Sequence, residues 1–95
     1  MIWKTKQKIL FKALEDLSGC PIKDILSDSR RLELVRARAV IIYYLRTEER
    51  MSLQAIGDIL GRDHSTINSS IHKIKTDKFL MTQFNNYKEK IYELI

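Results

Sequence analysis

Five consecutive side chains, Arg62, Asp63, His64, Ser65 and Thr66, form the densest run of hydrogen-bonding chemistry in this sequence. Two kinds of chemistry use such residues. One is nucleophilic catalysis by an Asp-His-Ser relay, which needs three side chains converging on one point. Consecutive residues at a helix start point in different directions and cannot form that relay. The other is the reading of base edges in a DNA major groove, which needs short polar side chains presented side by side. The Asp63 carboxylate can accept from a cytosine amino group, and the His64 imidazole can donate or accept at a base edge. The Thr66 methyl can pack on a thymine methyl, and Ser65 can reach a base or a phosphate. No carboxylate cluster or metal-ligand spacing appears elsewhere, so neither an enzyme nor a metal site is expected.

Groove reading needs a scaffold. Directly upstream, Ile56-Gly57-Asp58-Ile59-Leu60-Gly61 reads as the end of a short helix and a glycine turn. Asp63 is the expected N-cap of the next helix. The result is a helix-turn-helix whose second helix offers its N-terminal tip, where the partial positive charge of the helix start assists contact with DNA. Ile67, Ile71 and Ile74 repeat at four and three residues and bury one face of that helix. His64, Ser65, Asn68, Ser69 and His72 then face outward or flank the boundary; His72 has no assigned role and is read as structural. A face of small polar side chains can approach a groove floor closely. Gly57, inside the first helix of the motif, costs about 1 kcal/mol relative to Ala. Close approach of another helix would offset this, so the crossing of the two helices is placed there.

The run from Gly61 to Ile67, Gly-Arg-Asp-His-Ser-Thr-Ile, resembles the signature of the C-terminal DNA-binding domain of DnaA, the bacterial replication initiator family. Ile56-Gly57-Asp58, Arg30-Arg31, residues 35–38 and the apolar run ending at Leu45-Arg46 extend the resemblance to roughly residues 5–94. It implies an all-α fold of six helices around a central helix-turn-helix, related to the trp repressor-like class, with double-stranded DNA as partner and no cofactor. Among the matched tip residues, Asp63, His64 and Thr66 would read bases, with Ser65 beside them. Arg38 and Arg46 match phosphate-contacting positions, and Arg30 matches a basic-loop arginine that enters the adjacent minor groove; Arg31 takes that role if the alignment slips by one. Arg62 and Ser69, flanking the tip, are expected on phosphates. So are Ser52 and the backbone amide near Leu53, at a helix start. Narrow minor grooves attract a guanidinium.

Two residues depart from the family pattern. The family usually has two glycines before Arg-Asp-His; only Gly61 stands here, which predicts a turn one residue tighter. Ala39 occupies a position where the family often has a Gln on the DNA backbone. The ATP-binding domain that precedes this module in DnaA has no counterpart. There is no G-x-x-x-x-G-K-[ST] string and there are only three glycines, so no nucleotide cofactor is expected. The chain resembles a free-standing copy of the module, or an excised piece of a longer protein.

Composition bounds the rest. At 95 residues the chain is expected to form one domain over residues 1–95. Hydrophobic residues make up 44% against 31% charged, ordinary for a folded chain. The lone Cys20 excludes an internal disulfide and suits a reducing, cytoplasmic setting, on the bacterial nucleoid if DNA is the partner. The N-terminus is not a signal peptide. The longest apolar run, residues 39–45, is far short of the roughly 20 residues a membrane helix needs, so no membrane association is expected. The net charge of +5 matters less than its distribution. Arg30, Arg31, Arg36, Arg38 and Arg46 crowd a window whose only acid is Glu33, an electrostatic footprint suited to a phosphate backbone.

Aliphatic periodicity near 3.6 predicts helices over about residues 5–18, 21–26, 30–48, 53–60, 64–75 and 78–95. Pro21 suits the start of the short second helix, and 27–29 is a turn and expected N-cap of the third. The third helix is apolar nearly all round at residues 39–45, which marks an enclosed position. Arg31, Arg38 and Arg46 fall within about 80° of one another on it. In the sixth helix Leu80, Phe84, Tyr87, Ile91 and Leu94 form a stripe expected to close the core against the third helix. The alternative is a surface for weak self-association or for a protein partner. Three functions therefore stand open: reading a short asymmetric duplex box in replication initiation or its regulation, the same binding in a phage or mobile element, and protein interaction through the sixth helix.

Overall fold

A computed structural model describes residues 2–95. Six α-helices follow one another: α1 Trp3–Ser18, α2 Ile22–Ile25, α3 Leu32–Thr47, α4 Leu53–Leu60, α5 His64–Lys75 and α6 Lys78–Leu94. There is no strand among the described residues, and the chain is all-α.

A helix with apolar residues on every side is stable only when neighbours cover it from several directions. In α3, Leu34, Ala37, Val40, Ile41, Ile42 and Leu45 are buried, together with Ala39 and Tyr44. The helix packs against each of the other five. Around it α1 packs on α6, α6 on α5 and α5 on α4, while among the described residues α1 touches neither α4 nor α5. Each fully buried aliphatic side chain here contributes roughly 1.5–3 kcal/mol. No described helix is long and apolar enough to cross a membrane.

The stripe on α6 faces inward. Leu80, Phe84, Tyr87 and Ile91 are buried. The Tyr87 hydroxyl donates to the Leu10 carbonyl of α1 at 2.7 Å. Tyr43 meets Phe84 and Tyr44 meets Tyr87 edge-on, with ring centroids 4.8 and 5.4 Å apart. Covering α1 and α3 takes the whole stripe except Leu94, which is exposed. The expectation that this stripe closes the core against the third helix is met by these four residues.

Three helix starts differ from expectation, α2 by a single residue, since Pro21 is its N-cap and Ile22 its first residue. α1 begins at Trp3, two residues early. α3 begins at Leu32, with Arg31 as an N-cap that lacks a side-chain cap bond. The serines before it serve the loop instead: Ser27 Oγ accepts from the Ser29 N–H and Ser29 Oγ from the Arg31 N–H, each at 3.3 Å. Such short side-chain-to-backbone bonds compete with helix initiation. Arg30 and Arg31 therefore sit on a loop, not on the basic stripe of α3.

Candidate nucleic-acid interface

The turn of the helix-turn-helix is built on Gly57 and Gly61. Gly61 ends α4 at φ 67°, the left-handed region that suits glycine. Its N–H and that of Arg62 (2.9 Å) both reach back to the Gly57 carbonyl. A Cβ at Gly57 would fall inside the 3.0 Å that real Cβ atoms observe, against the Arg62 carbonyl. The close approach expected at Gly57 is real, but its partner is the turn's own backbone and not the body of α5. With only Gly61, Arg62 and Asp63 between them, α4 and α5 are held tightly, and the start of α5 is thrust outward.

At that start Asp63, His64, Ser65 and Thr66 are all exposed. Asp63 Oδ1 accepts from the Thr66 N–H at 2.8 Å, the N-cap the sequence predicts. That bond, then the Thr66 hydroxyl, holds the Asp63 carboxyl below the usual carboxylate range. It is therefore an ionised acceptor near neutral pH, with lone pairs beyond the one the cap uses. Asn68, Ser69 and His72 are exposed, while Ile67 (0%), Ile71 (7%) and Ile74 (0%) anchor the opposite face. Thr66 lies on the flank of α5 that borders a cleft.

The cleft, about 540 Å³, is lined by Asp28, Arg30, Arg38, Arg62, Thr66 and Ser70, among others. At its base two guanidinium groups converge on one carbonyl. Arg38 donates through Nε to Ile25 O (2.5 Å) and through Nη2 to Ser27 O (2.7 Å). Arg62 donates through Nη2 to the same Ser27 O (2.5 Å) and through Nη1 to Leu60 O (2.8 Å). Burial, and then the charge of Arg62, lowers the Arg38 pKa. The sequence placed both arginines on phosphate. In the structure Arg38 ties the loop before α3 to α3 itself and Arg62 ties it to the turn between α4 and α5, while the remaining N–H donors of each stay open to the cleft. Three or more N–H groups remain on each guanidinium.

The two basic-loop arginines differ. Arg31 pairs with Glu33, its Nε at 2.8 Å and Nη2 at 2.5 Å from Oε1, and this bond raises its pKa. Arg30 is exposed on the cleft rim with no ion pair among the described residues. On the other side of the motif, exposed Arg46 donates to the Met51 carbonyl at 2.9 Å. Ser52 Oγ accepts from the Ala55 N–H at 3.1 Å, capping α4, and Leu53 starts that helix half-buried. Arg50, an exposed arginine beside this cap that the sequence reading did not single out, lies at φ 55°. That left-handed conformation is uncommon for a residue other than glycine and leaves no trace in composition or spacing. No group of three or more His, Cys, Asp or Glu that could hold a metal occurs among the described residues.

Comparison with known proteins bears on this arrangement. The family described as bacterial dnaA protein helix-turn-helix matches residues 8–74. The chain is similar to chromosomal replication initiator protein DnaA 2 of Chlamydia pneumoniae, 34% identical over 95 aligned residues, covering 92% of this chain and 21% of that protein. It is similar to chromosomal replication initiator protein DnaA of Gloeobacter violaceus, 36% identical over 80 residues, covering 79% and 18%. The protein of that name from Mycoplasma pneumoniae is 41% identical over 54 residues, covering 57% and 12%. The chain thus spans about a fifth or less of the length of these curated relatives. No solved structure matches it.

Proposed function

Because the chain belongs to the family of DnaA C-terminal helix-turn-helix domains, DNA-binding modules tied to replication initiation, we propose that it reads a short asymmetric box in duplex DNA, with the start of α5 in the major groove. The observation that carries this reading is one juxtaposition. The exposed tip Asp63-His64-Ser65-Thr66 stands beside a cleft into which Arg30, Arg38 and Arg62 all face. Short polar side chains suit base edges, and the arginines suit the anionic rails on either side.

Roles divide by position. Asp63, His64, Ser65 and Thr66 read bases. Arg30 enters the adjacent minor groove, because Arg31 is neutralised by Glu33. Arg46, Ser52 with the Leu53 amide, and Ser69 grip phosphates. Arg38 and Arg62 contribute mainly by holding the loop that carries Arg30, and secondarily through their spare donors. The activity is binding and not catalysis. Its setting is the cytoplasm on the nucleoid, where such binding marks an origin or occludes its boxes.

The test is duplex binding by anisotropy across a salt series. Arg46→Ala weakens all duplexes alike and reduces the salt slope by about 0.9 per lost phosphate contact. His64→Ala or Thr66→Ala removes roughly 1–3 kcal/mol of discrimination per base read and leaves non-specific binding intact. Equal, sequence-independent effects from both classes would refute this division of roles. Absence of any duplex preference at low ionic strength would refute the reading altogether.

A further inference from the structure

The proposed reading confines base contacts to the first turn of α5. A polar row continues beyond it. His64, Asn68 and His72, each four residues from the last, are all exposed, and residues at this spacing stack along one face of a helix. Ile67 and Ile71, beside Asn68, are buried and fix the rotation of the helix about its own axis. The Asn68 side chain forms no hydrogen bond with any described residue and caps no helix. Asn is a weaker helix former than Ala, Lys, Gln or Glu, so an ordinary solvated position in mid-helix is better filled by one of those. Beside the row, exposed Ser65 and Ser69 are short and leave the Asn68 carboxamide uncovered on those flanks.

The chemistry that fits is specific. A carboxamide carries a donor and an acceptor side by side, the complement of the N6–H and N7 pair on the major-groove edge of adenine. From His64 to Asn68 the helix rises about 6 Å. With the axis of α5 laid along the groove, that is roughly two base-pair steps at 3.4 Å each. We infer that Asn68 is a specificity-determining residue that reads an adenine about two base pairs from the pair addressed by His64. This rests on the proposed insertion of α5 in the major groove.

The test is selection from random duplexes, read by sequencing, with the unaltered chain, Asn68→Ala and His64→Ala. Alanine is the better helix former, so circular dichroism should find Asn68→Ala folded. The expected result is loss of an A·T preference at one position, with the remaining preferences and the salt slope kept. Affinity for the selected site should fall about 5- to 150-fold. An unchanged selection profile for Asn68→Ala, while His64→Ala loses a position, overturns this inference and leaves the tip reading standing. A uniform loss at every position also overturns it. If the unaltered chain selects no sequence, the underlying reading falls with it.

Discussion

Gly57→Ala reverses the usual rule for helix interiors. At an open helical site the added methyl stabilises by about 1 kcal/mol. Here the new Cβ would lie inside 3.0 Å of the Arg62 carbonyl, a backbone atom that cannot swing aside. Relief requires the turn to lift away from α4. Overpacking of this kind costs about 1–3 kcal/mol. The Arg62 N–H bond to the Gly57 carbonyl, 2.9 Å long, would be stretched or broken, losing about 1 kcal/mol more. Against the propensity gain, the net is a destabilisation of about 1–3 kcal/mol. At 4–8 °C per kcal/mol for a domain of this size, the melting temperature should fall by roughly 10 °C. Urea unfolding followed by circular dichroism measures it directly. Lifting the turn also displaces the Asp63 cap, so affinity for a selected duplex should fall more than affinity for a random one. A Gly57→Ala variant more stable than the parent would refute the argument, because it would mean that the turn does not press on α4.

Three further outcomes follow from the same geometry. Arg62→Ala removes the bonds to Ser27 and Leu60 and should destabilise the half-buried site by about 1–2 kcal/mol; it should lower specific duplex affinity while leaving the salt slope nearly unchanged, whereas a phosphate ligand would lower the slope. Tyr87→Phe removes the buried bond to the Leu10 carbonyl and should cost about 1–2 kcal/mol in urea unfolding, with duplex discrimination unaltered, since α1 lies away from α4 and α5. Asp63 has a folded pKa lowered from 3.8, so its contribution to stability is complete above 3.8 and is lost as the pH falls through the lowered folded value. Asp63→Asn keeps a capping oxygen that does not titrate, and it should flatten the acid limb of the stability profile between about pH 2 and 5.

Periodicity made the helices legible. Ile67, Ile71 and Ile74 announced the buried face of α5, and the apolar run of α3 announced its enclosure, because burial repeats with the helical turn. Caps at Ser52 and Asp63 were legible because their chemistry is local. What escaped was non-local or competitive. The serines before α3 could have started a helix, and instead they bond the loop. Arg38 and Arg62 carry the right charge for phosphate, but their carbonyl acceptors lie on segments 11–35 residues away in the chain, beyond any spacing rule, apart from the local Leu60 bond. Gly57 signalled a close approach without naming its partner, since a missing side chain says that space is needed and not what fills it.

The single Ser27 oxygen that receives both arginines has a thermodynamic corollary. It welds the segment bearing Arg30 to the segment bearing His64 while the molecule is still alone in solution. Ordering that many protein–DNA binders complete only on the duplex is then finished during folding. Association should accordingly proceed without a large coupled-folding heat-capacity change. The gap between the two probes of the double helix becomes a fixed length, and a target with one base pair inserted between its two halves should be refused, not accommodated.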